Sequence, residues 1–190
     1  MKLFFLVSIY AVCIFACASI AKKNVLYVYL AGNSKFVLLS PEGIEHPMDM
    51  PQFLSTEFMG QNYFLNVWVK ADENAIEMTF FNELGASIGE LSYINGAAHF
   101  SSAVFPKAVT GAFKPEYAIA DFQLCFYDPL LLDKSLKDSG LVLEIMEENR
   151  RILCKSEVII EIKKTENTVE LVNYLRGYAY TLEGDFSKTR

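Results

Sequence analysis

The chain has 190 residues, 52% hydrophobic and 14% aromatic, with a formal net charge of −6. That length supports one domain with a substantial core. An acidic chain without a basic cluster argues against nucleic acid as a partner, and against electrostatic docking to anionic lipid heads.

The first residues, MKLFFLVSIYAVCIFACASIAKK, carry one early charge at Lys2 and an apolar run from Leu3 to Ala16. They reach Cys17 and turn polar at Lys22 and Lys23. A positive start, a short apolar stretch and a small-residue boundary make an export segment. Three endings are open. The favoured one is lipoprotein processing at Ile14-Phe15-Ala16-Cys17, with Cys17 as the lipid attachment site. The others are ordinary cleavage at Ala16-Cys17-Ala18 or Ser19-Ile20-Ala21, and an uncleaved anchor. A spanning helix needs ~20 apolar residues, which makes the run marginal as an anchor. The expected organisation is an export segment over 1–17, a linker or first strand over 18–34, and a single domain over 35–186.

Fifteen Phe and ten Tyr leave apolar surface to spare for a cavity or groove. Met48, Met50, Phe53, Leu54, Phe58 and Met59 form an apolar stretch before the first long strand. Methionine adapts its shape readily, so the stretch reads as core filling or as a gate to a cavity. Residues 62–70 alternate, with Tyr63, Leu65, Val67 and Val69 on one face. In 76–81, Ile76, Met78 and Phe80 share a face. Segment 87–94 follows the turn Asn82–Gly85, and Asn95-Gly96 is a hairpin turn.

From Pro115 to Gly140 alternation stops. Ala118, Phe122, Cys125 and Phe126 fall at helical spacing. Asp128-Pro129 reads as an N-cap followed by proline at the first helical position, and Gly140 suits the end of that second helix. Alternation resumes in 141–146, with Leu141, Leu143 and Ile145, and in 157–163, with Val158, Ile160 and Ile162. Segments 168–174 and GYAYTL from Gly177 complete the strands. Short strands, tight turns and one apolar face describe a mostly antiparallel sheet packed on one side. Two apolar helices between the strand groups would cover its concave face.

Catalytic and metal signatures are absent: no H-E-x-x-H, nucleophile elbow, phosphate loop or dinucleotide fingerprint occurs. His46 and His99 lack converging donors and read as surface and strand residues rather than ligands. No metal, cofactor or enzymatic activity is expected. Cys125 and Cys154 are free thiols or a disulfide, the free form being favoured. Asp121, between Ala120 and Phe122, is an anomaly in an apolar helix. It either fixes the helix through hydrogen bonds or holds a polar head group at a cavity mouth.

The segment EYAIADFQLCFYDPLLLDKSL resembles the signature of an uncharacterised family of bacterial lipoproteins, above all at Ala120-Asp121-Phe122-Gln123-Leu124. FVLLSP, GQNYFLNVWV, SYINGA, ENRRILCKSEVIIEI and VNYLRGYAYTL follow the same order, so the resemblance covers roughly 35–183. The chain departs in having Tyr127-Asp128 where a Trp before the proline is common. Related families include the LolA- and LolB-like carriers and receptors of outer-membrane lipoproteins. The resemblance implies a mainly β fold with a short helical insertion, a curved antiparallel half-barrel sheet capped by helices. It also implies an inner face that holds acyl chains and performs no covalent chemistry.

The expected function is therefore an acyl-chain carrier or receptor at the periplasmic face of the outer membrane. The expected protein is a monomer, lipid-anchored through its N-terminus or soluble in the periplasm. Its partners are an acyl-chain ligand or lipoprotein, and a periplasmic carrier or export complex. The candidate lining is Tyr63, Leu65, Val67, Ile76, Met78 and Phe80 from the first strands. Phe122 and Phe126 come from the helix, and Leu143, Ile160, Tyr178 and Tyr180 from the later strands. The alternative is a non-transporting structural or assembly lipoprotein whose inner face is filled by its own side chains.

Overall fold

The computed structural model describes residues 25–58, 61–104, 110–111, 113–147 and 149–187. Cys13, Cys17 and Met59, and with them the export segment and its attachment site, lie outside the described residues.

Two hairpin strands come first, β1 (Tyr27–Ala31) and β2 (Ser34–Val37). Five strands follow: β3 (Met48–Phe58), β4 (Gln61–Ala71), β5 (Ala75–Phe81), β6 (Ser87–Ile94) and β7 (Ala97–Ser101). Helices α1 (Pro115–Phe126) and α2 (Pro129–Lys137) come next. The chain ends in β8 (Leu141–Met146), β9 (Asn149–Cys154), β10 (Glu157–Lys164), β11 (Thr168–Asn173) and β12 (Tyr178–Glu183).

Among the described residues, ten strands form one antiparallel sheet in the order β7-β6-β5-β4-β3-β12-β11-β10-β9-β8. The sheet does not close, and β7 and β8 are its edges. β12 docks on β3, joining the strands before the helices to those after them. Helix α1 touches both β7 and β11. Those strands are six steps apart, roughly 29 Å across a flat sheet at ~4.8 Å per step, whereas a twelve-residue helix is only about 18 Å long. The sheet therefore curls around α1.

The alternation in β4 places Val67, Val69 and Ala71 in the core and leaves Phe64 and Trp68 exposed on the outer face. Asn95 and Gly96 both take positive φ, 52° and 79°, in the β6–β7 turn, where a two-residue hairpin requires it. The Asp128 carboxylate accepts from the backbone N–H groups of Leu130 and Leu131 at the start of α2, at 2.8 and 3.1 Å.

Four features differ from the sequence reading. The apolar stretch from Met48 is an eleven-residue strand in the middle of the sheet. Pro51 is tolerated there because β12 pairs with β3 only from Phe53 onward, so β3 is locally an edge at Pro51. β1 lies within 18–34, expected as a linker or first strand, and its hairpin with β2 crosses the expected domain boundary at residue 34. The hairpin's Val28, Leu30 and Phe36 are core residues. In β10 a register shift between Val158 and Ile160 lets Ile159 be buried as well as Ile160. Ile145, expected inward, is 51% exposed near the end of edge strand β8.

Helix α1 is buried on all sides over eight consecutive residues, Ile119 to Phe126. It lies between the sheet and the β1–β2 hairpin, so a single apolar stripe would not suffice. Gln123 resolves the polar side of that burial. Its Oε1 accepts from the Leu39 backbone N–H at 3.0 Å, and its Nε2 donates to the Leu39 carbonyl at 2.8 Å. The side-chain amide thus pairs with Leu39 as a neighbouring strand would.

Candidate functional site: an apolar cleft beneath α1

A cleft of about 440 Å³ lies between α1 and the strands β3–β7 and β12. β4 contributes Tyr63, Leu65, Val67 and Val69, and β5 contributes Met78 and Phe80. Phe122 and Ala118 close it from the helix, with Tyr178 and Tyr180 on β12. These are inward positions of alternating strands, so the sheet's two-residue period builds the wall.

Four predicted lining residues sit elsewhere. Ile76, Phe126 and Ile160 are fully enclosed core residues, and half-buried Leu143 packs against the core from β8. Phe126 packs on Phe122 and Phe186 at ring separations of 4.8 and 5.8 Å. Around β8–β11 the inner face is filled: Leu132 and Leu136 of α2 are buried, and α2 packs on β8. Arg150 on β9 donates to the carbonyls of Leu124 and Tyr127, at 3.2 and 2.9 Å. It closes the C-terminal end of α1, where a cation is favoured.

The cleft has two chemically different ends. Pairing sets Tyr63 opposite Thr56, and Tyr180 opposite Thr56 from the other side. With Tyr178, Asp121 and Arg176 these residues make a polar end over β3 and β12. Val69 pairs with Met78, Met78 with Leu91, and Leu91 with Phe100, so the far wall over β4–β7 is apolar. Phe100 packs on Phe113, which precedes α1, at 4.5 Å.

Asp121 is 5% exposed, and its Oδ2 accepts from the Tyr178 hydroxyl at 2.6 Å. Asn173 Nδ2 donates in turn to Tyr178 Oη at 3.2 Å. Burial raises the Asp121 carboxyl from 3.8 to about 7, against the opposing pull of Tyr178 and of the Arg176 charge. Burial also holds the Tyr178 and Tyr180 hydroxyls protonated well beyond the ordinary range. Cys125 and Cys154 are free thiols. Cys125 Sγ lies 3.7 Å from Tyr180 Oη, and burial pushes its thiol up to about 12. It carries no appreciable thiolate at neutral pH.

His99 is exposed on β7 and His46 is half-buried before β3. Among the described residues no three His, Cys, Asp or Glu side chains converge as a metal site. Among the same residues no helix is long and apolar enough to cross a membrane.

Sequence reasoning missed Phe100, Phe113, Lys114, Tyr117 and Arg176 as cleft residues. Phe100 follows His99 in a strand too short to show a period. Arg176 and Tyr117 meet only in space, the guanidinium standing 4.0 Å above the ring centre.

Residues 49–184 match a family described as a protein of unknown function, DUF3261. The match spans most of the chain, which belongs to that family. No curated protein matches the chain in sequence.

Proposed function

We propose that this protein binds the acyl part of a lipid or lipid-like molecule and carries or receives it at a membrane, without covalent chemistry. One observation carries the reading: an open cleft of about 440 Å³ with a largely apolar wall. Ligand pockets of ~300–1,000 Å³ are the usual size for small molecules. Protein interiors are close-packed, with few voids larger than a water molecule, so a cleft of this size stands out from the filled part of the same sheet face. The arrangement we propose is a half barrel of the LolA/LolB kind, its inner face divided between a packed part and an open one.

Transfer would proceed by partition. Burying a methylene contributes ~0.8 kcal/mol, so a ten-carbon chain gains roughly 8 kcal/mol before binding costs. A chain thus moves between one apolar cavity and another, or the bilayer, with no bond broken. The N-terminal export segment and Cys17 would hold the cup at the periplasmic face of the outer membrane. A periplasmic carrier or export complex would exchange cargo with it. A non-transporting assembly role draws support from the filled region around β8–β11.

Native mass spectrometry of the protein from its own host, repeated after incubation with lipids, tests the proposal. The expected spectrum shows an acyl compound bound to the chain and removed by organic extraction. A ligand-free chain after lipid exposure would overturn the carrier reading and favour the assembly role.

A further inference from the structure

We propose that the cleft takes one single-chain amphiphile with an anionic head, the head held at Arg176 and Lys114 and the chain lying across β4–β7. This rests on the acyl-binding reading above and narrows it to a ligand class.

Size decides the number of chains. An engineered apolar cavity of about 150 Å³ takes one benzene ring, so a 440 Å³ cleft takes roughly eighteen carbons on the same scale. One long chain fits, and two or three such chains do not. The polarity of the wall sets its direction. Register places the apolar series Val69, Met78, Leu91 and Phe100 at one end, and the polar groups over β3 and β12 at the other.

Charge decides the head. Lys114 and Arg176 both line the cleft. Among the described residues neither cation takes part in an ion pair. Arg176 is nevertheless held in place. Its backbone N–H donates to Asn173 Oδ1 at 2.9 Å, its guanidinium rests on Tyr117, and Nη2 donates to the Tyr29 carbonyl at 2.8 Å. A guanidinium offers five donors, so others are free to take a carboxylate or phosphate in its preferred forked geometry. Glu57 also lines the cleft, and Asp121 already accepts from Tyr178. Arg176 and Lys114 thus stand in the cleft lining outside any ion pair of the described residues, against Glu57 and an Asp121 already held by Tyr178, and each can pair with an anionic head.

Binding of hexadecanoate, hexadecyl phosphate, hexadecanol and a two-chain phosphatidate to the full chain, each below its aggregation limit, tests this. Hexadecanoate or hexadecyl phosphate is expected to bind one per chain, about tenfold or more tighter than hexadecanol. Whichever of the two binds tighter identifies the head as carboxylate or phosphate. Arg176→Gln is expected to weaken binding of the two anionic ligands by about tenfold or more, and that of hexadecanol by much less, so that the preference is lost. Lys114→Gln is expected to reduce the preference, and it serves alone if Arg176→Gln fails to fold. Equal binding of hexadecanol, phosphatidate as tight as hexadecyl phosphate, or a preference that survives the variants would overturn the anionic single-chain assignment. If none of the four binds, the acyl-binding reading itself fails.

Discussion

The Asp121 carboxyl is enclosed by α1 and β12, with one oxygen held by Tyr178. Its folded value of about 7 stands above the ordinary 3.8, so the fold favours the protonated form. The sign follows. Below about pH 4 the carboxyl is neutral in both states and its contribution to stability is fully present. Between about 4 and 7 the unfolded chain ionises and the folded chain resists, so stability falls as pH rises, by at most on the order of 4 kcal/mol. Asp121→Asn keeps a hydrogen-bonding group and removes the titration. Urea unfolding at pH 5 and pH 8 should show a drop in the parent chain and a much smaller one in the variant; equal drops would place the titrating group elsewhere. Gly43 is a second position where one atom matters. A Cβ there would meet the buried Tyr127 ring at 2.8 Å, so Gly43→Ala should destabilise by about 1–3 kcal/mol, read from the denaturant midpoint.

Helix α1 is held by polar groups at several points along its length. Gln123 pairs with the Leu39 backbone, and Arg150 takes the last carbonyls. Gln123→Leu should lower stability by about 1–3 kcal/mol, because the Leu39 N–H and carbonyl lose their side-chain partner. Arg150→Met should have a similar effect, and hydrogen exchange should show it at the C-terminal turn of α1 before the sheet. The elements differ in how openly they are written. β4 alternates cleanly because both its neighbours are strands and only its two faces differ. The N-cap Asp128 and Gly140, at φ 72°, mark α2 by local chemistry alone. β3 hides its strand nature. It carries Pro51 and places Gln52 inward, 4% exposed, where a period count expects an apolar residue. Gln52 reaches only the Met48 sulfur, at 4.0 Å, and its Oε1 has no hydrogen-bond partner among the described residues.

At the scale of the whole molecule, one apolar sheet face serves two ends. Around β8–β11 it is filled by α2 and the C-terminal half of α1; over β3–β7 it stays open beneath the N-terminal half. Alternation could name the inward residues of both parts, which is why Val67 and Ile160 read alike in sequence. Which of them borders space depends on where the helices come to rest, a long-range fact that no local period carries. Ala118 stands on the open side, where α1 faces the cleft. Ala118→Trp should fill the cleft, abolish acyl-chain binding and leave the melting temperature within a few degrees of the parent. Retained binding would move the ligand to another surface. The division of the sheet is tested most directly by methyl NMR with a spin-labelled stearate. The methyls of Leu65, Val67 and Met78 should broaden at saturation, and those of Ile152, Ile160 and Leu171 should stay sharp. Broadening centred on that second group, or none at all, would contradict that division.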